Sequence, residues 1–325
     1  MISKAKITAV GGYVPDRRLT NSDLEKLVET SDEWIVRRTG IKERRILPDD
    51  QFTSDLAFGA VRHMLNQYNV SLEDVDLVIV ATTTPDYGFP SVAALLQARF
   101  HMERAGAFDL NAACAGFEYA LHVANALVTS GWHRKILVVA ADAMSKVTDY
   151  TDRTTCILFG DGAGAALVEY SEEPGFIGAF MGADGNMGKA LYRTGISTVM
   201  NREALIASGK VVQNGREVFK WAVKNVVGGV SDLLDQNGLD LSDIDWFVPH
   251  SANLRMIESI CERIHFPMNK VLYSMVYYGN TSSASIPLAI HDGLKEGKLK
   301  KGDLLLLYGF GGGLVHCGQL IKCSF

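Results

Sequence analysis

Apolar positions along the chain follow two rhythms. Short apolar runs bounded by Gly and Asp alternate with longer stretches in which apolar residues recur every three or four positions. The runs predict strands at Ile7–Val10, Leu77–Thr82, Ala107–Leu110, Ile136–Ala140, Ala163–Val168, Trp246–Val248 and Leu304–Tyr308. Strands alternating with helical patterns make an α/β class. The clearest helical stripe is Phe117, Leu121, Ala124 and Val128, the buried face of one helix. The stretch from Gly182 to Asn214 is rich in Gly and Ala without a clear period, and reads as loop or covering structure.

The same pattern occurs twice. AVRHMLNQYNVSLEDVD, from Ala60, aligns with GVSDLLDQNGLDLSDID, from Gly229, at an offset of 169 positions. Val61/Val230, Leu65/Leu234, Leu72/Leu241, Asp74/Asp243 and Asp76/Asp245 share that register. Without a gap, the offset carries Ala81 onto His250, Asn111 onto Asn280 and Cys114 onto Ser283. The first apolar run, at Ile7, falls on Phe176. Two similar halves, residues 1–172 and 173–325, are therefore expected, joined near Tyr170–Pro174. Pseudo-symmetric packing of such halves brings the ends of equivalent elements together. That expectation puts Cys114, His250 and Asn280 in one central cleft.

Composition narrows the function classes. At 325 residues, with 47% hydrophobic and 21% charged residues, the chain is an ordinary globular protein with room for a sizeable core. A net charge of −5 gives no general attraction to nucleic acid or an anionic membrane, so any basic site is local. The opening segment MISKAKITAVGGYVP has no signal-peptide core, and stretches such as Ile136–Ala141 fall far short of the ~20 residues that span a bilayer. A cytoplasmic location is the expectation. Cys114, Cys156, Cys261, Cys317 and Cys323 are scattered, with neither metal-ligand nor CxxC spacing.

Chemistry concentrates in three segments. Cys114, in LNAACAGFEYAL, stands where a strand gives way to a helix. Unpaired N–H groups and the positive end of the helix dipole there favour thiolate over thiol. The small neighbours Ala112, Ala113, Ala115 and Gly116 let a bulky thioester approach the backbone. The other four cysteines read as packing residues. His250, in FVPHSANLR, ends a buried strand before a helix that Ser251 or Asn253 would cap. That is a good place for a site, and equally for a histidine bonded to its own loop. Asn280, in YYGNTSSAS, taken alone is a turn or cap residue. The glycines of GFGGGL, Gly309–Leu314, suit either a backbone oxyanion donor or a tight strand-to-strand turn. FGDGAGA, from Phe159, runs into a strand rather than a helix and lacks the GK[ST] ending, which excludes a nucleotide fingerprint.

Together NAACAGF, PHSANLR, YYGNTSSAS and GFGGG closely resemble β-ketoacyl–acyl-carrier-protein synthase III, the initiating condensing enzyme of bacterial fatty-acid synthesis. TSDEWIVRRTGIKERR, from Thr30, FPS, from Phe89, and TDRTTCILFGDGAGA extend the match along almost the whole chain. The resemblance implies a thiolase-like duplicated five-layer α-β-α-β-α fold, a homodimer, and a Cys114–His250–Asn280 triad with no metal or redox cofactor. It implies that Trp34 and Arg153 sandwich the adenine of coenzyme A and that Arg38 helps hold its phosphates. Of the basic cluster around Arg38, Arg37 and Lys42 keep the reading of a solvated face. By the same resemblance Gly215, Phe219 and Asn253 line the pantetheine tunnel, Arg255 docks the acyl carrier protein, Phe89 reaches the partner subunit's acyl pocket, and Gly312 is the second oxyanion donor beside Cys114. The segment from Phe180 to Val212 is longer than in shorter members, which leaves acyl-chain preference open. Rival readings are a secondary-metabolism condensing enzyme with a CoA-bound extender, a cysteine hydrolase, and a noncatalytic acyl-CoA-binding protein.

Overall fold

The computed structural model describes residues 2–325. Two mixed sheets carry the chain. The first contains β1 (Ala5–Tyr13), β2 (Leu77–Ala81), β3 (Gly106–Leu110), β4 (Lys135–Ala143) and β5 (Asp161–Tyr170), in the order β1-β5-β4-β2-β3. The second contains β6 (Phe176–Ala183), β7 (Trp246–Pro249), β8 (Leu304–Gly311) and β9 (Val315–Lys322), in the order β7-β8-β9-β6. All seven expected strands are present. β6 and β9 are additional, and β6 begins at Phe176, the position the repeat paired with the first strand.

The helices complete five layers. They are α1 (Asp32–Thr39), α2 (Thr53–Gln67), α3 (Val92–Arg99), α4 (Gly116–Thr129), α5 (Gly215–Asn237), α6 (Leu254–Ile264) and α7 (Ser285–Lys295). α4 and α7 lie between the sheets, where Phe117, Leu121, Ile286 and Ile290 share a core with Val138 of the first sheet and Leu307 of the second. Helices α2 and α3 cover the outer face of the first sheet, and α5 and α6 that of the second. Strands covered on both faces are apolar on both. In β4, Ile136, Val138 and Ala140 face the central core, while Leu137, Val139 and Ala141 face the outer one. This is why the strands read as unbroken apolar runs rather than as alternation.

The offset of 169 reappears in the elements: β4 begins at Lys135 and β8 at Leu304, α4 at Gly116 and α7 at Ser285. The short 3₁₀ turns before those helices, Ala113–Ala115 and Ser282–Ala284, are related in the same way. Each opens on a residue in the left-handed region, Ala113 at φ 47° and Ser282 at φ 54°. β3 has only a trace of a counterpart, a parallel bridge between Val271 and Phe247.

A histidine pair ties α2 to α7 and makes stability depend on pH. The rings of His63 and His291 meet edge to face at 4.7 Å. Gly12 of β1 lies against His291, where a Cβ would come within 2.9 Å of the ring. Burial, with help from His63 and Lys295, lowers the His291 pKa to about 4, and burial lowers that of His63. Both rings are thus neutral in the folded protein, while the unfolded chain takes up protons below its ordinary pKa of 6.5. Stability should therefore be lost as pH falls from about 6.5 towards 4. Denaturant unfolding at both ends of this window should show a smaller drop for His291→Leu than for the wild type. An equal drop would remove the pair as the cause.

Candidate active site

Cys114 sits in the turn between β3 and α4, held by the left-handed conformation of Ala113. The end of β8 passes directly over it. A Cβ at Gly311 would lie 2.7 Å from the Cys114 nitrogen and 3.1 Å from its sulfur, so only glycine allows this approach. The backbone N–H groups of Cys114 and Gly312 both act on the sulfur and favour its anion. The Ser282 hydroxyl donates to it at 3.5 Å. GFGGG forms the β8–β9 hairpin, and its Gly312 N–H acts on the Cys114 sulfur.

One expectation is corrected here. The start of a helix was expected to favour the Cys114 thiolate, but burial outweighs it and pushes the thiol up to about 12. Ser282 and the two backbone donors oppose that shift, while the nearby Asp142 charge reinforces it. The resting nucleophile is a thiol.

His250 and Asn280 are both buried. His250 follows β7, and its N–H donates to the Tyr308 carbonyl at 2.9 Å, extending the pairing with β8. Its ring meets Phe310 edge to face at 5.1 Å, one residue before Gly311. The Ser285 oxygen lies 2.7 Å from Nδ1 and accepts from the Ser251 N–H at 3.3 Å. Ser285 thus occupies Nδ1 and leaves Nε2 as the ring nitrogen without a partner in the chain. Burial lowers the His250 pKa to about 3, so the ring is neutral. The Asn280 Oδ1 accepts from the Ser282 N–H at 2.9 Å. Its carbonyl accepts from Gly160, and its N–H donates to Leu158, pinning the turn to the Cys156–Gly160 segment. With Oδ1 occupied locally, its amide NH₂ is left as a donor.

A cavity of about 400 Å³ opens over the sulfur, with Cys114 and Gly312 at its floor. Met144, Val147, Phe159, Leu191, Met200 and Val211 form its apolar walls. The last three belong to the stretch expected to be covering structure, which proves to be short β-ribbons. Neither His250 nor Asn280 is in its lining.

The other expected residues are placed as follows. Arg153 and Arg38 both lie over the Trp34 ring, at 5.2 and 5.5 Å from its centroid. Arg153 is anchored by a bond to the Glu29 carbonyl. The gap is too small for a planar base, which needs about 7 Å for two van der Waals contacts. Gly215 opens α5, and Phe219 packs one turn later against the outer core. Asn253 caps α6, its side chain accepting from the Met256 N–H at 2.9 Å. Arg255 is exposed on the first turn of that helix, and Phe89 is 91% exposed. None of Gly215, Phe219, Asn253 or Phe89 lines the cavity within the chain.

The basic cluster around Arg38 is not one face. Arg37, Arg38 and Lys42 are exposed, but Arg44 is fully buried, bonded to the Ile157 carbonyl and to Asn21 Oδ1. Sequence reading missed Ser282, Ser285 and Asp142, all of which touch the catalytic candidates or their turns. Among the described residues no cluster of three or more His, Cys, Asp or Glu is placed to hold a metal ion, and no helix is long and apolar enough to cross a membrane.

Comparison with known proteins agrees along the whole length. The family described as 3-oxoacyl-[acyl-carrier-protein] synthase III matches residues 108–185, and its C-terminal counterpart matches residues 234–323. The chain is 59% identical to beta-ketoacyl-[acyl-carrier-protein] synthase III 2 of Halalkalibacterium halodurans, over 99% of this chain and 97% of that one. It is 60% identical to the protein of the same name from Bacillus subtilis, over 99% of each. The crystal structure of a Thermus thermophilus beta-ketoacyl-[acyl-carrier-protein] synthase III superposes with a TM-score of 0.95 at 46% identity, over 98% of each chain.

Proposed function

The chain belongs to the 3-oxoacyl-[acyl-carrier-protein] synthase III family, and from that premise we propose how its residues divide the reaction. The enzyme starts fatty-acid synthesis by joining a short acyl group from acyl-CoA to malonyl–acyl-carrier protein, with loss of carbon dioxide. First the Cys114 sulfur attacks the acyl thioester carbonyl, and the oxyanion forms between the N–H groups of Cys114 and Gly312. Collapse expels the coenzyme A sulfur, which leaves with the proton that Cys114 loses. Malonyl–carrier protein then loses carbon dioxide. The electron pair of the broken carbon–carbon bond flows into the thioester as an enolate, whose oxygen takes hydrogen bonds from His250 Nε2–H and the Asn280 amide. The enolate carbon attacks acyl-Cys114, the carbon–sulfur bond breaks to release the 3-oxoacyl product, and the sulfur takes up a proton from water.

The observation that carries this reading is the convergence on one sulfur. The backbone donors of Cys114 and Gly312 and the Ser282 hydroxyl act on a sulfur that lines one cavity, and a neutral imidazole is buried against Phe310, one residue before Gly311. Mass spectrometry after mixing enzyme, acyl-CoA and malonyl–carrier protein tests it. A 3-oxoacyl group on the carrier protein with release of carbon dioxide is expected. Free acid would indicate a hydrolase, unchanged thioesters a binding protein, and a product formed only with malonyl-CoA a different extender.

Two recognition surfaces complete the proposal. Trp34, Arg153 and Arg38 take the nucleotide end of coenzyme A, and Arg153 swings aside to admit the adenine. Gly215, Phe219 and Asn253 line the approach of the pantetheine arm, and exposed Arg255 meets the acidic carrier protein. The two ends should separate kinetically. Trp34→Ala should raise KM for acyl-CoA roughly tenfold, the ordinary cost of a lost base stack, and leave malonyl–carrier protein largely unaffected. Arg255→Glu should do the reverse, and its use of the carrier protein should lose less with added salt than the wild type's. The same change in both substrates for either variant would mean a structural role.

We also propose a homodimer. β3 is an open sheet edge with Phe108 partly exposed, and Tyr87 and Phe89 stand out of the loop after β2. Phe89 does not line the Cys114 cavity of its own chain, which suits a residue that closes the partner subunit's acyl pocket. Phe89→Ala should therefore broaden chain-length preference towards longer primers while the protein remains dimeric by ultracentrifugation. An unaltered preference would reject the pocket role, and an active monomer would reject the dimer.

A further inference from the structure

Asp142, near the end of β4, is wholly buried, and six hydrogen bonds converge on its carboxylate. From the first half, Oδ1 accepts from the Thr83 N–H at 2.7 Å and from the hydroxyls of Thr83, Thr82 and Thr84 at 2.9, 3.2 and 3.4 Å. From the second half, Oδ2 accepts from the Ser283 N–H at 3.1 Å and the Ser283 hydroxyl at 2.6 Å. The repeat explains the position. An offset of 169 carries Asp142 onto Gly311 and Cys114 onto Ser283. In the second half, Gly311 leaves room for the reacting sulfur. In the first, the Asp142 carboxylate fills the corresponding space and grips Ser283. One of two related sites is open and the other is plugged.

The plugged site bears on the open one through a single short turn. Ser283 follows Ser282, whose N–H holds the Asn280 side chain and whose hydroxyl reaches the Cys114 sulfur. We propose that Asp142 is a positioning residue for decarboxylation: by clamping Ser283 across the two halves, it fixes the turn that aims the Asn280 amide at the enolate oxygen. This rests on the role of Asn280 given above. Asparagine in its place offers one acceptor and an NH₂ group where two backbone N–H groups, of Thr83 and Ser283, need acceptors. One of them then faces a donor, and the turn must shift. The Asp142 charge opposes ionisation of Cys114, so its removal gives no electrostatic reason for acylation to slow.

The test measures both half-reactions in Asp142→Asn, in Asn280→Ala and in the double variant. Carbon dioxide release in Asp142→Asn should fall about ten- to a hundredfold, the scale of an ångström-sized misplacement, while single-turnover acylation of Cys114 changes little. In the Asn280→Ala background the same substitution should add little, because the donor it aims is gone. If Asp142→Asn does not fold, Ser283→Ala serves instead. It keeps the carboxylate but removes its shortest bond to the turn, and should show the same pattern in smaller measure. Equal losses in both half-reactions, additivity with Asn280→Ala, or a normal carbon dioxide rate in Asp142→Asn or in Ser283→Ala would overturn the assignment. Normal decarboxylation by Asn280→Ala itself would instead overturn the role of Asn280.

Discussion

Cys114→Ala should abolish acyl transfer to the protein: mixed with acyl-CoA, the variant should keep its unmodified mass while the wild type gains one acyl group. Four other cysteines are present, and all are buried. Cys156 and Cys261 are pushed up to about 11 and 12 by burial, and Cys317 and Cys323 are raised by burial too. None of them lines the cavity. What sets Cys114 apart is therefore not acidity, since its own thiol is pushed up to about 12. It is the floor position under two backbone donors and the hydroxyl of Ser282. These groups stabilise negative charge only when it develops, in the attack itself. The resting enzyme should accordingly resist iodoacetamide at neutral pH yet acylate readily with acyl-CoA, whose sulfur leaves with the proton. A one-acyl adduct persisting on Cys114→Ala would remove Cys114 from the mechanism.

Much of this arrangement was legible in the sequence, for a definite reason. Cys114, His250 and Asn280 each stand where one element ends and another begins, and boundaries leave marks: Pro249, Gly279, and the run of small residues around Cys114. The 169-residue repeat shows in the fold as two related contacts at its centre, Gly311 against Cys114 and Asp142 against Ser283. β6 and β9 escaped as strands because Gly178, Gly182 and Gly318 interrupt their apolar pattern. The buried polar groups of β9 are satisfied from afar: His316 by Tyr308 at 2.8 Å, and Gln319 by the Glu118 carbonyl. The burial of Arg44 leaves no mark in the sequence, since nothing local reveals that Asn21 and Ile157 enclose it. The Cys114 thiol went the wrong way for the same reason. A helix start can be read from neighbours in sequence, but desolvation is set by neighbours in space.

His250→Ala and Asn280→Ala should still form acyl-Cys114, but release carbon dioxide from malonyl–carrier protein about a hundred- to a thousandfold more slowly. In the proposed mechanism acylation needs only the Cys114 sulfur and the N–H groups of Cys114 and Gly312 beside it. Decarboxylation puts charge on the malonyl thioester oxygen, where two neutral donors in a site sheltered from water matter most. Removing one such donor typically costs ~3–4 kcal/mol in the transition state. The surroundings of His250 favour a donor over a base. Its pKa is lowered to about 3, so it holds a thiol proton poorly, and Ser285 occupies Nδ1, which leaves Nε2 for the proposed donor role. Nor does Asn280 have any means of accepting a proton, since its Oδ1 is taken by the Ser282 N–H. A cysteine-protease arrangement predicts the opposite, with acylation crippled once His250 is lost. Single-turnover acylation of each variant beside its rate of carbon dioxide release decides between them. A His250→Ala enzyme that cannot acylate but decarboxylates normally would reverse the division of labour between the sulfur's backbone donors and the two buried side chains.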